Sequence, residues 1–231
     1  MALNPLMTLK VAKLLKPGDR IASMGYPDIV ASEKLIVGLT EGKRPVVYRE
    51  DSEAICKRHG IKPRRPIPDA ADFFALFGAK LDVFDIVQER GGEILCDLND
   101  PLDRSHHAQY DFVLDVGTLE HCFNIAQAAL NMGSLLKAGG TIFHENPFNW
   151  GNHGFYGLNP TWYGDFYGQP GFELRDCRML ARDGSTAVVE GPARFGRFIW
   201  GTGEANCYAM AQRTEVLPIA WPTQTKYKRA A

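Results

Sequence analysis

The spacing of apolar positions divides the chain into alternating helical and extended segments. Leu6, Leu9, Val11, Leu14 and Leu15, set between lysines, predict a short amphipathic helix over 5–16, ended by Pro17 and Gly18. The apolar run IASMGY (21–26) predicts a first strand. Pro27 and Asp28 then predict a helix start over PDIVASEKLIVGL, because proline needs no donor there and an acid meets free backbone amides. Residues 40–69 lose the regularity: basic and proline-rich sequence surrounds one short helix over 51–59, as in an insertion between core strands. Beyond it, DAADFFALF (69–77) is a helix stopped by Gly78, and LDVFDI (81–86) is a strand.

A Gly91-Gly92 turn leads into the strand EILCDL (93–98), and YDFVLDVG (110–117) is the clearest buried strand of the chain. A helix expected over 118–136 carries Leu119, Phe123, Ile125, Ala129, Met132 and Leu135, and KAGG closes it before the strand TIFHE (141–145). Strand, helix, glycine stop and strand is the crossover pattern of a parallel sheet. A long polar and aromatic stretch follows, with a helix from Pro160 to Tyr167. FELRDCRML and ANCYAMAQ then finish the sheet, with an antiparallel hairpin around 181–203. The expected fold class is α/β: a single doubly wound, mostly parallel sheet with helices on both faces, in one domain over 1–231.

Composition narrows this only a little. At 231 residues the chain can bury one substantial core, whereas two domains would each be small. A formal charge of -1 leaves no global positive field, so nucleic acid is not an expected partner. The local basic run Lys62, Arg64 and Arg65 reads as a solvated loop held open by prolines. Five widely spaced cysteines, odd in number and without a CxxC pair, fit a reducing cytoplasm. The N-terminus has no signal or transit pattern, and no uncharged apolar run approaches the roughly 18 residues of a membrane span. A cytoplasmic location without a membrane partner is expected, and homo-oligomerisation is left open.

Ligands of a doubly wound sheet bind beyond the carboxyl ends of its strands. That rule selects Gly25 and Asp28 after the first strand, Asp85 after the second, and Asp97 with Leu98 after the third. It also selects Gly117, Glu120 and His121 after the fourth, and His144 after the fifth. Asp85 can accept two hydrogen bonds from a ribose diol, and Asp97 or the Leu98 amide can address an adenine edge, although strand-end aspartates are also common turn formers. Gly25 permits close approach of a ligand, yet neither GxGxxG nor GxxxxGK is present. A compact nucleoside ligand without a pyrophosphate is therefore expected. HExxH and CxxC are absent and His106-His107 has no partners at convincing spacing, so no metal is expected. No GxSxG elbow occurs, and the separations among Asp115, Glu120 and Glu145 cannot be read from sequence, so hydrolysis ranks behind.

The segments LDVFDI, EILCDLNDPL, YDFVLDVGTLEH and LLKAGGTIFHENP resemble those of the class I S-adenosylmethionine-dependent methyltransferases, over roughly residues 15–180. The resemblance implies a Rossmann-like sheet and S-adenosyl-L-methionine as cofactor, with Asp85 on its ribose and Asp97 with Leu98 at its adenine. It places the turn of Gly117, Glu120 and His121 beneath the methionine part. The first glycine signature departs from the family: IASMGYPD matches at Gly25 alone, Tyr26 and Pro27 fill the turn, and Asp28 offers a carboxylate to the cofactor's amino group. The departure supports an alternative, a non-catalytic interaction or regulatory module of the same fold, with 40–69 as a binding surface.

The implied reaction is methyl transfer to an oxygen or nitrogen of a small metabolite, dominated by positioning and exclusion of water. His144, His153 or Tyr156 would orient or deprotonate the acceptor, or else serve as loop anchors and aromatic core. The density of rings over 146–167, from Phe148 and Trp150 to Tyr163 and Tyr167, predicts a cap over an aromatic or cyclic acceptor, with a secondary core as the other reading.

Overall fold

Contacts within the chain form two compact units, Met1–Leu95 and Cys96–Ala231. The structure, a computed structural model, describes residues 2–181, 186–188 and 203–228. The first unit runs β1 (Ala2–Leu3), α1 (Pro5–Ala12), β2 (Arg20–Met24), β3 (Asp28–Ile29), α2 (Glu33–Leu39), α3 (Ser52–Arg58), α4 (Ala70–Ala75), β4 (Lys80–Asp85) and β5 (Ile94–Leu95). β2 pairs in parallel with β4, from Arg20 opposite Lys80 to Met24 opposite Phe84, and β4 pairs in parallel with β5. Asn4 starts α1 by accepting from the Met7 amide at 2.9 Å, with Pro5 in the first turn.

The helix expected from Pro27 does not form there. Asp28 and Ile29 are extended and pair in parallel with Ala2 and Leu3, and α2 starts only at Glu33, where the Ser32 hydroxyl accepts from the Leu35 amide at 3.2 Å. Partners distant in sequence decide this. Asp28 is buried against His59 Nε2 at 3.0 Å and against Arg49 and Arg58, each at 3.5 Å, while Ile29 is wholly buried. An exposed first helical turn would forfeit both.

Segment 40–69 carries α3 and a small core of its own, in which Ile55, Cys56 and Ile67 are buried and Val30 and Ile61 pack against them. Two of its basic side chains have partners within the chain: Arg65 donates to the Val30 carbonyl at 2.6 Å and Arg64 pairs with Glu53. Asp69 caps α4 by accepting from the Ala71 and Asp72 amides at 2.9 and 3.2 Å.

The second unit runs β6 (Tyr110–Asp115), α5 (Ile125–Leu135), β7 (Leu136–Pro147), α6 (Pro160–Tyr167), β8 (Phe172–Ala181), β9 (Thr186–Val188) and β10 (Ala205–Arg213). β6 and β7 are parallel, with Asp115 opposite His144. β10 lies antiparallel between β7 and β8, and β9 extends the edge beyond β8. The antiparallel return expected around 181–203 is therefore the β8–β10 pair, and most of its connection lies outside the described residues.

Two details of this unit differ from expectation. Residues Leu119–His121 form a separate single turn, so α5 begins at Ile125 behind Asn124. KAGG does not stop α5 but lies within β7, where Gly139 has φ +85° and a Cβ on Gly140 would stand 3.0 Å from the Tyr110 carbonyl. The helix is closed by Arg213 of β10 instead. Its buried guanidinium donates to the carbonyls of Gly133, Ser134 and Leu136 at 3.0–3.2 Å, a cation at the negative end of the helix dipole. Among the described residues no helix is long and apolar enough to cross a membrane.

Candidate active site

At the carboxyl ends of β6 and β7, beyond the apolar runs Phe112–Leu114 and Ile142–Phe143, Asp115, His144 and Asn146 are all fully buried. His144 and Asn146 are two residues apart on one strand and so share a face, and Asp115 stands beside them on the parallel neighbour. Asp115 Oδ2 lies 2.6 Å from His144 Nδ1 and accepts from Asn146 Nδ2 at 3.1 Å, while its Oδ1 accepts from the Thr118 and Leu119 amides at 3.2 and 3.0 Å. An Nδ1–H given to the carboxylate leaves His144 Nε2 to accept the Tyr167 hydroxyl at 2.6 Å. The Tyr163 hydroxyl donates to Asn146 Oδ1 at 2.5 Å, which fixes the amide so that its NH2 spans Asp115 and Glu120 Oε2, the latter at 2.9 Å.

Glu120 ends this network. Its side chain is buried, and Oε1 has no hydrogen-bond donor. Burial first, and then the charge of Asp115, push its carboxyl up to about 7. Facing Oε1 are His153 Nε2 at 3.6 Å and His121 Nε2 at 3.8 Å, whose side chains are 42% and 50% exposed. Burial, and then His153, hold the His121 imidazole below its ordinary range.

The loop that delivers His153 depends on Gly154, which has φ +69° and lies so close to the 119–121 turn that a Cβ would meet the Glu120 carbonyl oxygen at 2.8 Å. The Phe155 amide donates to that same carbonyl at 2.8 Å. Alongside, the exposed rings of Phe155 and Phe123 meet edge to face at 5.3 Å. A buried polar network thus opens at one half-exposed edge, next to an apolar surface, and that edge can hold or accept a proton.

No family model and no curated protein matches the sequence significantly. A provisionally assigned methyltransferase of Bacillus halodurans C-125 superposes with a TM-score of 0.50 at 11% identity, over 92% of this chain and 99% of that one. The chain has the class I methyltransferase fold. Two weaker likenesses carry no further argument. The 1,6-didemethyltoxoflavin N1-methyltransferase of Burkholderia thailandensis, solved with 1,6-didemethyltoxoflavin and S-adenosylhomocysteine, gives 0.49 at 12% identity over 91% of this chain and 76% of that one. A provisionally assigned zinc-dependent alcohol dehydrogenase of Rhodobacter sphaeroides gives 0.35 at 17% identity, over 60% of this chain and less than half, 44%, of that one.

In this methyltransferase fold the residues selected from sequence occupy distinct environments. Asp85 ends β4 half-buried, and among the described residues its carboxylate accepts only from the Val87 amide, at 3.3 Å. Asp97 is exposed and folds back on Asn99, whose amide and side chain both donate to Oδ1 at 2.8 Å, while the buried Leu98 gives its carbonyl to Asn131 at 3.0 Å. Gly25 and Gly117 have φ of +83° and +87°, the left-handed region that favours glycine. The Tyr26 hydroxyl is held by both Asp69 oxygens at 2.8 and 2.9 Å, and its ring lies 3.8 Å from the Arg90 guanidinium. Asp28 is fully engaged by His59, Arg49 and Arg58.

The three candidates for proton transfer are not gathered on one point. His144 is sealed between Asp115 and Tyr167, and Tyr156 donates its hydroxyl to the Phe123 carbonyl at 2.9 Å as a loop anchor. His153 alone of the three is substantially exposed beside a carboxylate. The rings of 146–167 divide likewise: Tyr163, Phe166 and Tyr167 are buried core and Phe155 is exposed. Sequence reasoning missed Asp115 as the hub of the network. The available signal was the pair His144 and Asn146 at strand spacing, directly after the apolar Ile142 and Phe143.

Proposed function

We propose that the chain transfers a methyl group from S-adenosylmethionine to an oxygen or nitrogen of a small metabolite. The observation that carries the reading is the Glu120 edge: a buried carboxylate with one undonated oxygen, beside His153 and next to the exposed rings of Phe123 and Phe155. It joins a proton acceptor to an apolar landing surface within the fold that the comparison supports.

The residues present fit the cofactor. The Asp85 carboxylate retains acceptor capacity for a ribose diol, since one amide at 3.3 Å is its sole donor among the described residues. Asp97 Oδ2 and the Leu98 backbone would meet adenine, and the glycine turn at Gly117 would lie under the amino-acid part. Asp28, already committed to its three partners, is assigned to the fold. When bound, the cofactor supplies an electrophilic methyl on a sulfonium that leaves without acid assistance.

This chain's own groups then position and deprotonate. Phe123 and Phe155 hold an apolar or cyclic acceptor and exclude water. The His153–Glu120 edge takes the proton released as the acceptor oxygen or nitrogen forms its bond to carbon. Asp115, His144 and Tyr167 keep Asn146, and through it Glu120, in place. We assign the protein to the cytoplasm, where five unpaired cysteines remain reduced.

Calorimetric titration with S-adenosylmethionine and S-adenosylhomocysteine tests the reading. Stoichiometric binding is expected, weakened at least tenfold by Asp85→Ala, together with labelled methyl incorporation into a panel of small hydroxylated and amine acceptors. Failure of the folded protein to bind either ligand, or methylation restricted to RNA or protein, overturns it.

A further inference from the structure

We propose that Glu120, His121 and His153 form a binding site for a divalent transition-metal cation of the zinc class. No metal is expected from sequence motifs, and the third donor of this site lies far along the chain from the other two. In the fold, one ligand atom from each of the three residues lies within 4.8 Å of the others. Two imidazole nitrogens and a carboxylate oxygen are a donor set suited to a borderline cation.

The decisive group is Glu120. Its Oε2 is occupied by Asn146, whereas Oε1 is buried, has no hydrogen-bond donor and faces both imidazoles, at 3.6 and 3.8 Å. A buried anion edge without a donor is costly, and a cation between the three groups satisfies it directly. Metal bonds of about 2.0–2.2 Å place neighbouring ligand atoms roughly 3.0–3.5 Å apart. The site is therefore slightly expanded, and it can close by small rotations of two half-exposed histidine side chains.

The scaffold supports this. Gly154 fits against the Glu120 backbone and the Phe155 amide bonds the Glu120 carbonyl, so the segment bearing His153 is fastened to the turn bearing His121. Asn146 orients the carboxylate from behind, as outer partners of metal ligands do. The exposed side of the histidines leaves positions open for water or a ligand. The cation would compete with a proton for the Glu120 and His153 atoms that the proposed function uses as acceptors. Its binding is read without methyl transfer or the cofactor, so this inference and the functional reading can fail separately.

The full chain, stripped with a chelator and dialysed, is titrated with Co2+ and then with Zn2+ in competition against a chromophoric chelator. One equivalent is expected to bind in the micromolar range or tighter, with visible cobalt absorption and no thiolate charge-transfer band in the near ultraviolet. His121→Ala and His153→Ala, both at half-exposed positions, are each expected to weaken binding at least tenfold. Glu120→Gln does the same, and His106→Ala leaves the affinity unchanged. Absence of binding, a thiolate band that places the metal on cysteines, or affinity unchanged in both histidine variants overturns the proposal.

Discussion

Asn131 on α5 fastens residues 98–102, the segment on which the proposed adenine contact depends, and its replacement by alanine has a calculable effect. Its side chain is buried, with Oδ1 accepting from the Leu102 amide at 3.1 Å and from Gln127 at 2.9 Å, and Nδ2 donating to the carbonyls of Leu98 at 3.0 Å and Asp100 at 2.8 Å. In Asn131→Ala, exposed Asp100 and the long Gln127 side chain regain water. Leu98 and Leu102 belong to buried residues and do not. Two orphaned backbone groups at about 1–2 kcal/mol each give a loss of roughly 2–4 kcal/mol. Hydrogen exchange reads this locally. The Leu102 amide is expected to lose protection by about thirtyfold to several hundredfold, at about 1.4 kcal/mol per factor of ten, and affinity for S-adenosylmethionine falls with it. Asn131→Asp is nearly isosteric but sets a carboxylate against two carbonyls, so it is expected to be at least as damaging as alanine. Retention of Leu102 protection within threefold in Asn131→Ala, or tolerance of Asn131→Asp, would refute the reasoning.

Two further outcomes concern the turn that carries Glu120. Gly154→Ala places a Cβ 2.8 Å from the Glu120 carbonyl at φ +69°, and is expected to destabilise the protein by about 2 kcal/mol or more in urea unfolding; a change below about 0.5 kcal/mol contradicts the close approach. Glu120, pushed up to about 7 from 4.5, keeps in the native state a proton that the unfolded chain releases. Its contribution is therefore complete below about pH 4.5 and is lost as pH rises through 7, a change on the order of 3 kcal/mol. With a chelator present, the stability of the unaltered protein relative to Glu120→Gln should fall between pH 5 and 8, and a flat difference rejects the shift.

Much of the second unit was legible because local signals and tertiary demands agree there. Helix α6 begins at Pro160 behind Asn159, which accepts from the Trp162 amide at 3.3 Å, and it spans the residues expected. The apolar run of β6 likewise had no competing reading. Pro27 and KAGG misled for a common reason, since each is a valid local signal overridden from a distance. His59, Arg49 and Arg58 draw Asp28 into a buried cluster, and Arg213 closes α5 in place of the glycines. The strand-end rule found Glu120, His121 and His144. It could not reveal that His153 returns to Glu120, because that contact rests on the loop geometry around Gly154.

The two buried carboxylates of the network differ in a way that orders the candidates for chemistry. Asp115 is supplied by two backbone amides, the Asn146 side chain and the His144 imidazole, so its charge is met on both oxygens and it has little left to offer a ligand. Glu120 receives Asn146 on one oxygen and no donor on the other, and burial weakens it as an acid, to a pKa of about 7 that keeps it close to half-protonated near neutral pH. A fully met carboxylate organises its neighbours, whereas a half-met one responds to whatever arrives, be it a proton, a cation or an acceptor hydroxyl. His144 belongs with the first group, since both of its ring nitrogens are occupied within the fold, and Tyr156 is spent on the Phe123 carbonyl. In the proposed function the reactive end of the site is therefore at Glu120, with His121 and His153 in front of it. Substitutions at His144 should act on Glu120 indirectly, by loosening Asp115 and Asn146.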